Sequence, residues 1–408
     1  MVFIFNTPDI CFKIIIKITI QKAKMETLTV AIFSDTYLPA RDGVVTYIET
    51  LRSELERKGH NVIIATVAGK NDVGNNAKNV YTVRGHRFPL YDQYKISVMP
   101  FSIGKKLLSS GAGIVHTQTP FMLGIAGQRF SRAAKIPSVS TFHSLVFQES
   151  AVRGYLPKNE HTVKFVEKRI KSYFSWHYRQ YNAVISPSEF TAKVLLDHIG
   201  LSSIIINNAV AVSRFVTEIS RENAKKKLGY ENRKIVLFLG RISKEKNLEV
   251  MIKAARIIGP EIDFVIVGTG PHLEFYKTMA DEMGLKNVKF RGFVDDLEIH
   301  LYLKAADIFC NPSNFEVMST VDVESLAAGT PILVPSETSQ EELVHGGKCG
   351  RVFMNSDPDD LAKKIREMIR DEADYDTLPY ADLYSPENHA NRLLELYKKV
   401  MNEYSDNS

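Results

Sequence analysis

The sequence predicts an α/β protein made of two doubly wound parallel-sheet domains that face a central cleft. Three observations carry this. From Leu28 onward, short apolar runs alternate with amphipathic stretches, the pattern of a parallel sheet covered on both faces. The alternation restarts after residue 215, so the architecture is repeated. A chain of 408 residues is too long for one ordinary domain and suits two.

Taken in order, Val30 to Phe33 reads as a strand and Tyr47 to Lys58 as the helix that returns from it. Val62 to Val67, Ile114 to His116, Ser138 to Thr141 and Ala183 to Ile185 read as further strands, the last followed by a helix over Thr191 to Leu196. In the second half, Lys234 to Leu239 is a buried-strand run ending in Gly240, and Leu248 to Ile257 is its helix. Phe264 to Val267 precedes Gly268, and Val288 to Phe290, Ile308 to Cys310 and Pro331 to Val334 complete the set. The expected units are a first domain over 25–210, a second over 211–385, and a C-terminal helix over 386–408 that crosses back to the first. In such sheets ligands bind at the carboxyl ends of the strands, so the cleft is the expected site.

Residues 1–24 read as a dispensable extension. Phe12 to Ile18 is apolar but broken by Lys13 and Lys17. It is shorter than the roughly 20 residues of a membrane helix and lacks a small-residue cleavage site. No longer apolar run follows, so any membrane contact is expected to be peripheral, on the inner face of the cell membrane. Cys11, Cys310 and Cys349 have no metal-ligand spacing and read as reduced thiols of a cytoplasmic protein.

Charge is unevenly divided. Residues 1–200 hold 26 Lys and Arg against 14 Asp and Glu, and the remaining 208 hold 26 against 33. Either solvated charge is scattered by chance or the first half meets an anionic surface, nucleic acid or anionic lipid.

The chemistry concentrates between Asn311 and Pro331, where Glu316 and Glu324 are separated by seven residues. Carboxylates accept paired sugar hydroxyls well, although a Glu pair at this spacing is by itself usually a solvated face. The surroundings make the segment specific. Gly240-Arg241-Ile242-Ser243-Lys244-Glu245-Lys246 places an Arg and a Lys five residues apart after a strand. Val267-Gly268-Thr269-Gly270-Pro271 is a second strand-end glycine loop, Thr141-Phe142-His143-Ser144 a histidine loop, and Asp35 to Val45 an N-terminal loop with Gly43.

These segments, in this order from about Met25 nearly to the C-terminus, resemble glycosyltransferase family 4. That family comprises retaining nucleotide-sugar transferases of GT-B fold, two Rossmann-like domains facing a cleft. In motif style the chain resembles most the diacylglycerol glucosyltransferase-like members, whose first loop carries a polar residue, Gly, Val and Val; here it is Asp42 to Val45. The resemblance implies that Glu324 holds the donor ribose and Glu316 the sugar. Arg241, Lys246, Gly268 and Gly43 would lie at the donor diphosphate, and His143 beside the transferred sugar from the opposite domain. It also implies that no metal or other cofactor is needed. Physically, Arg241 and Lys246 suit the charge that develops on a departing diphosphate, and a helix start adds partial positive charge. His116, also at a strand end, reads as structural.

There are departures. Val317-Met318-Ser319 stands where the family has Gly-Phe-Gly, Asn208-Ala209-Val210-Ala211 where it has Asn-Gly-Val-Asp, and Glu337 to Glu342 replaces a glycine-rich stretch. The expected activity is hexosyl transfer, glucose from UDP-glucose, to a diacylglycerol-type lipid. The alternative is transfer to a soluble or polysaccharide acceptor, for example mannose from GDP-mannose. Two basic-aromatic stretches, Arg84 to Lys106 and Lys164 to Arg179, favour an anionic membrane as partner. The second equally reads as a packed helix with Phe165, Ile170, Phe174 and Trp176 buried. A nicotinamide oxidoreductase would also be doubly wound, but its fingerprint should open the first βα unit, and the partial match Gly268-x-Gly270 has Leu273 at the third position and lies in the second half. A nucleic-acid partner leaves the Glu pair unexplained, so none is expected.

Overall fold

A computed structural model describes residues 27–40, 42–68, 78–88, 91–97, 100–143, 160–370 and 375–406. The extension expected over 1–24 and the third motif's Ser144 lie outside them. The first sheet contains β1 (Thr29–Ser34), β2 (Asn61–Ala68), β3 (Val80–Arg84), β6 (Ile114–Thr117), β7 (Ser138–Thr141), β8 (Ala183–Ser186) and β9 (Ile204–Ile205), ordered β3-β2-β1-β6-β7-β8-β9. The hairpin β4 (His86–Phe88) and β5 (Tyr91–Ile96) stands apart as an antiparallel pair. The second sheet contains β10 (Lys234–Leu239), β11 (Ile262–Val267), β12 (Val288–Gly292), β13 (Ile308–Cys310), β14 (Ile332–Pro335) and β15 (Gly350–Phe353), ordered β12-β11-β10-β13-β14-β15. Every pairing within these two sheets is parallel. The winding reverses beside β1 and beside β10, which opens a crevice at the carboxyl ends of both sheets.

The first sheet is covered by α1 (Gly43–Arg57), α2 (Ser102–Leu107), α3 (Met122–Ala134), α4 (Glu160–Tyr178) and α5 (Glu189–Ile199). The second carries α6 (Arg221–Leu228), α7 (Leu248–Ile258), α8 (Leu273–Glu282), α9 (Asp296–Ala305), α10 (Thr320–Ala327), α11 (Pro358–Arg370) and α12 (Leu378–Asp382), and α13 (Pro386–Asp406) ends the described chain. The central strands are buried on both faces. Val30 and Ile32 enter one core layer, Ala31 and Phe33 the other. Ile235, Leu237 and Leu239 alternate likewise with Val236 and Phe238. That two-sided burial makes these strands read as continuous apolar runs.

α13 packs on the first domain. Its Ala390, Leu393, Leu394, Leu396, Tyr397 and Val400 join Val30, Ile48 and Leu51 in one core layer. Each large side chain buried there contributes roughly 1.5–3 kcal/mol, so the last helix seals the first sheet. Val210 N–H donates to Tyr384 O at 2.8 Å where the two crossings meet.

Helix starts differ from the sequence reading for a local reason. α1 begins at Gly43 rather than Tyr47 because the Asp42 carboxylate accepts from Val45 N–H at 2.9 Å. α5 begins at Glu189 because Ser188 caps Thr191. β3, β9, β15 and the hairpin were not expected; β3 and β15 are part-exposed and lack a clean apolar run.

The domains touch where the family pattern is broken. Val317 O accepts from Ser188 Oγ at 2.7 Å and Thr191 Oγ1 at 3.1 Å, and Asn208 N–H points at Met318 Sδ. Glu342 caps α5 from the other domain, accepting from Glu189 N–H at 3.0 Å and Phe190 N–H at 2.6 Å. The unusual residues of the second domain thus hold the first.

Candidate active site

On the second domain the site is built from strand-end loops pressed together. Gly240 N–H donates to Val267 O at 3.0 Å and Ile242 N–H to Thr269 O at 2.9 Å. A Cβ on Gly268 would collide with Gly240 O, and one on Gly270 with Ile242 O. Gly268 also has φ 134°, where only glycine rests easily. Its N–H is already given to Gly292 O at 2.8 Å, so its first task is loop packing.

Arg241 emerges exposed from this junction. Lys246 closes a 3-10 turn, Lys244–Lys246, just before α7, and its Nζ contacts Glu316 Oε1 directly. The Glu316 loop is tied to the same turn: Asn314 N–H donates to Glu245 O at 3.1 Å and Ser313 Oγ to it at 3.3 Å. Ser339 Oγ donates to Glu316 O at 2.8 Å.

Beneath the two glutamates lies Asp322, fully buried. Asn311 Nδ2 donates to Asp322 Oδ1 at 3.0 Å and Gln340 Nε2 to Oδ2 at 3.1 Å. Burial pushes the Asp322 carboxyl up to about 7, with the Glu316 charge adding to it. Glu324, on α10, is pushed up to about 7 by burial as well; Asp296 and Asp322 add to the rise and Arg214 opposes it.

On the first domain Gly43 is the first residue of α1, with open space where a Cβ would stand. Asp42 beside it accepts from Thr36 Oγ1 at 2.8 Å in addition to its cap. His143 follows β7. Its Nε2 lies 2.8 Å from Gln118 Oε1, and its ring meets the Tyr47 ring edge-on at 4.9 Å between centroids. Burial, helped by the nearby His389, pushes its pKa down to about 3, so the ring is neutral at pH 7. His116 is fully buried between Tyr397 Oη and Thr141 Oγ1, each at 2.7 Å, as a structural histidine would be.

The structure therefore joins Lys246 to Glu316, and packs the Arg241 loop on the Gly268 loop. Among the described residues no hydrogen bond links His143 or Gly43 to that set; they stand at the carboxyl ends of β7 and β1 on the other domain. Gln118, Tyr47, Asp322, Ser339 and Gln340 escaped the sequence reading. Only Gln118 carried a signal, two residues beyond His116 at a strand end.

α4 divides its apolar residues. Phe174 is buried and Ile170 packs behind it, but Phe165 is 58% and Trp176 53% exposed. The packed-helix expectation thus fails for Phe165 and Trp176, which stand on the face with Lys164, Lys168 and Arg179. Arg169 lies over the Phe165 ring at 5.1 Å, and Lys171 pairs with Glu167 at 2.6 Å. The side chains of residues 87–96, in the other basic-aromatic stretch, lie outside the described set. No helix among the described residues is long and apolar enough to cross a membrane. Among them, likewise, no cluster of His, Cys, Asp or Glu could hold a metal ion.

Comparison with known proteins decides the family. Residues 41–214 match the model of Glycosyltransferase Family 4, and residues 220–381 that of Glycosyl transferases group 1. An alpha-monoglucosyldiacylglycerol synthase of Streptococcus pneumoniae is 30% identical over 384 residues, 91% of this chain and 85% of that one. The chain belongs to the GT-B glycosyltransferases of group 1 and family 4. A GDP-mannose-dependent alpha-mannosyltransferase of Corynebacterium glutamicum is 24% identical, over 85% of this chain and 81% of that one. Among solved structures, Anabaena HepE in complex with UDP superposes with a TM-score of 0.70 at 18% identity, covering 91% of this chain and all of the other. In this glycosyltransferase the family 4 match spans the domain of Gly43 and His143, and the group 1 match that of Arg241, Lys246, Gly268, Glu316 and Glu324.

Proposed function

We propose that the enzyme is a retaining glucosyltransferase that moves glucose from UDP-glucose to a diacylglycerol-type lipid, while bound to the inner face of an anionic membrane. The observation that carries the reading is the contact of Lys246 with Glu316 at the strand-end loops of the second domain. It sets a cation for phosphate beside a carboxylate for sugar hydroxyls. The name of the Streptococcus pneumoniae relative supports glucose and a diacylglycerol acceptor. The UDP in the HepE structure supports a uridine nucleotide. The outward Phe165, Trp176, Lys164 and Lys168 of α4 support a lipid surface. Free, buried Cys310 and Cys349 suit a reducing cytoplasm.

In this reading the bond between sugar C1 and the β-phosphate oxygen breaks, and its electron pair stays on that oxygen. Arg241, Lys246 and the start of α7 are suited to neutralise it without a metal ion. Glu316 accepts from the sugar hydroxyls and Glu324 from the ribose. Neutral His143 hydrogen-bonds the sugar without adding charge opposite the diphosphate. The lipid hydroxyl attacks C1 on the face the diphosphate leaves, and its proton passes to the departing phosphate oxygen.

The Corynebacterium glutamicum relative favours one second reading, mannosyl transfer from GDP-mannose. The test is transfer from each labelled donor to diacylglycerol in anionic vesicles, with and without EDTA. UDP-glucose should give a chloroform-extractable α-glucoside whether or not EDTA is present. Label transferred only from GDP-mannose would install the second reading, and label appearing only in a water-soluble product would remove the lipid acceptor.

A further inference from the structure

We propose that Tyr47 and His389 are positioning residues for His143, so that the last helix of the chain sets the first domain's side of the site through one buried hydrogen-bond chain. The inference rests on the reading of His143 as a sugar-contacting group.

The direction of the chain follows from donor and acceptor chemistry. His389 Nδ1 lies 2.6 Å from Asn207 O, and a carbonyl only accepts, so Nδ1 carries the proton. Burial pushes the His389 pKa down to about 4, so the ring is neutral and its Nε2 is an acceptor. Tyr47 Oη, 3.1 Å away, must then donate to it. The chain runs Tyr47, His389, Asn207 O, and His389 gives one proton and takes one. His116 is tied separately, its Nε2 2.7 Å from Thr141 Oγ1. Its Nδ1 lies 2.7 Å from Tyr397 Oη. Tyr397, His116, Thr141, Tyr47 and His389 are all buried, so breaking any one of these bonds would strand a polar group away from water.

α13 supplies both Tyr397 and His389, eight residues apart on one helix. The chain ends on Asn207, at the join between the domains. Its first member, Tyr47, is the neighbour of the site. The Tyr47 ring stands edge-on between two imidazoles, His143 at 4.9 Å and His389 at 5.2 Å. Its hydroxyl is held by His389 Nε2, which fixes the ring. That ring bounds His143 on one side while Gln118 holds Nε2 on the other.

The experiment compares Tyr47→Phe and His389→Ala with wild type, alone and combined with His143→Ala, by steady-state transfer and by donor binding. Each single variant should lower kcat about tenfold to a hundredfold, the scale of a misplaced reacting geometry, with donor KM unchanged. Added to His143→Ala, neither should cost anything further, because both act through that ring. A general loss of packing would instead multiply with His143→Ala. The proposal is overturned if folded Tyr47→Phe keeps wild-type kcat or if the losses multiply. Should His389→Ala fail to fold, Tyr47→Phe decides alone, since it keeps the ring and removes only the hydroxyl. Full activity in His143→Ala would sink the site reading itself, and the present inference with it. Loss in His143→Ala with none in Tyr47→Phe sinks only the inference.

Discussion

On the second domain the site residues are carried by backbone. The loops after β10 and β11 abut so closely that Gly268 and Gly270 have no room for a side chain, and Lys246 and Glu316 meet across loops tied by main-chain bonds. On the first domain His143 is held by side chains from three other segments of the chain, Gln118 on it directly and Tyr47 braced by His389. The two sides of the cleft should therefore break differently. A small backbone change ruins the first-described side and leaves the other standing, whereas the histidine side depends on protonation and on the end of the chain.

The largest expected effect is Gly268→Ala. Its Cβ falls on Gly240 O at a φ of 134°, so both loops must move. The loss should be about 3 kcal/mol or more of stability, read by urea unfolding. An unchanged unfolding midpoint would show that the loops are not packed as described. Next is Lys246→Ala, which should weaken binding of the nucleotide diphosphate by about 1–3 kcal/mol in calorimetry, the range for a lost charge-assisted bond. Donor affinity equal to wild type would take Lys246 out of the site.

The smallest effect distinguishes the domains by pH. Packed in the first domain, His116, His143, His177 and His389 all have lowered pKa values, in each case chiefly through burial. Unfolding lets each ring return to about 6.5 and bind a proton the native state refuses. This domain should lose stability as pH falls below about 6.5. In the second domain Asp322 and Glu324 are raised to about 7. Their burial costs stability at neutral pH, and the cost is relieved as pH falls through 7 toward the ordinary carboxyl value of about 4. Asp35, raised to about 6, works against the histidines as a single group. Hydrogen exchange at pH 7 and pH 5, corrected for intrinsic rates, should show weaker protection in the first domain and stronger in the second. A common shift of both domains would break the contrast.

The same contrast explains what the sequence disclosed. Lys234–Leu239 is a strand in both readings because every residue after Lys234 is buried, which writes an unbroken apolar run. The sequence sets Glu316, Arg241 and Lys246 on loops that follow such strands and Glu324 on the next helix, while the donor roles expected of the two glutamates come from the family resemblance. The support beneath them was not legible, since Asn311, Asp322 and Gln340 look like ordinary polar residues until the fold buries them together. Tyr47 and His389 lie 342 residues apart, and no local pattern records their meeting. The exposed Trp176 shows the limit of periodicity. Its spacing on α4 fitted a core face, but only Phe174, Tyr178 and Val163 among the apolar residues there are buried.

The central claim is that lipid docking belongs to the first domain and donor chemistry to the second. Vesicle co-sedimentation tests it most directly, on wild type and on a variant carrying Lys164→Gln, Lys168→Gln, Arg169→Gln and Lys171→Gln. Each basic residue near an anionic surface is worth about 1 kcal/mol and is screened over roughly 10 Å at moderate salt. Wild type should sediment with anionic vesicles at low salt and be released at high salt. The variant should stay in solution at low salt yet hydrolyse UDP-glucose at the wild-type rate. Wild type that fails to bind anionic vesicles at low salt, or a variant that loses donor hydrolysis along with binding, would contradict the account.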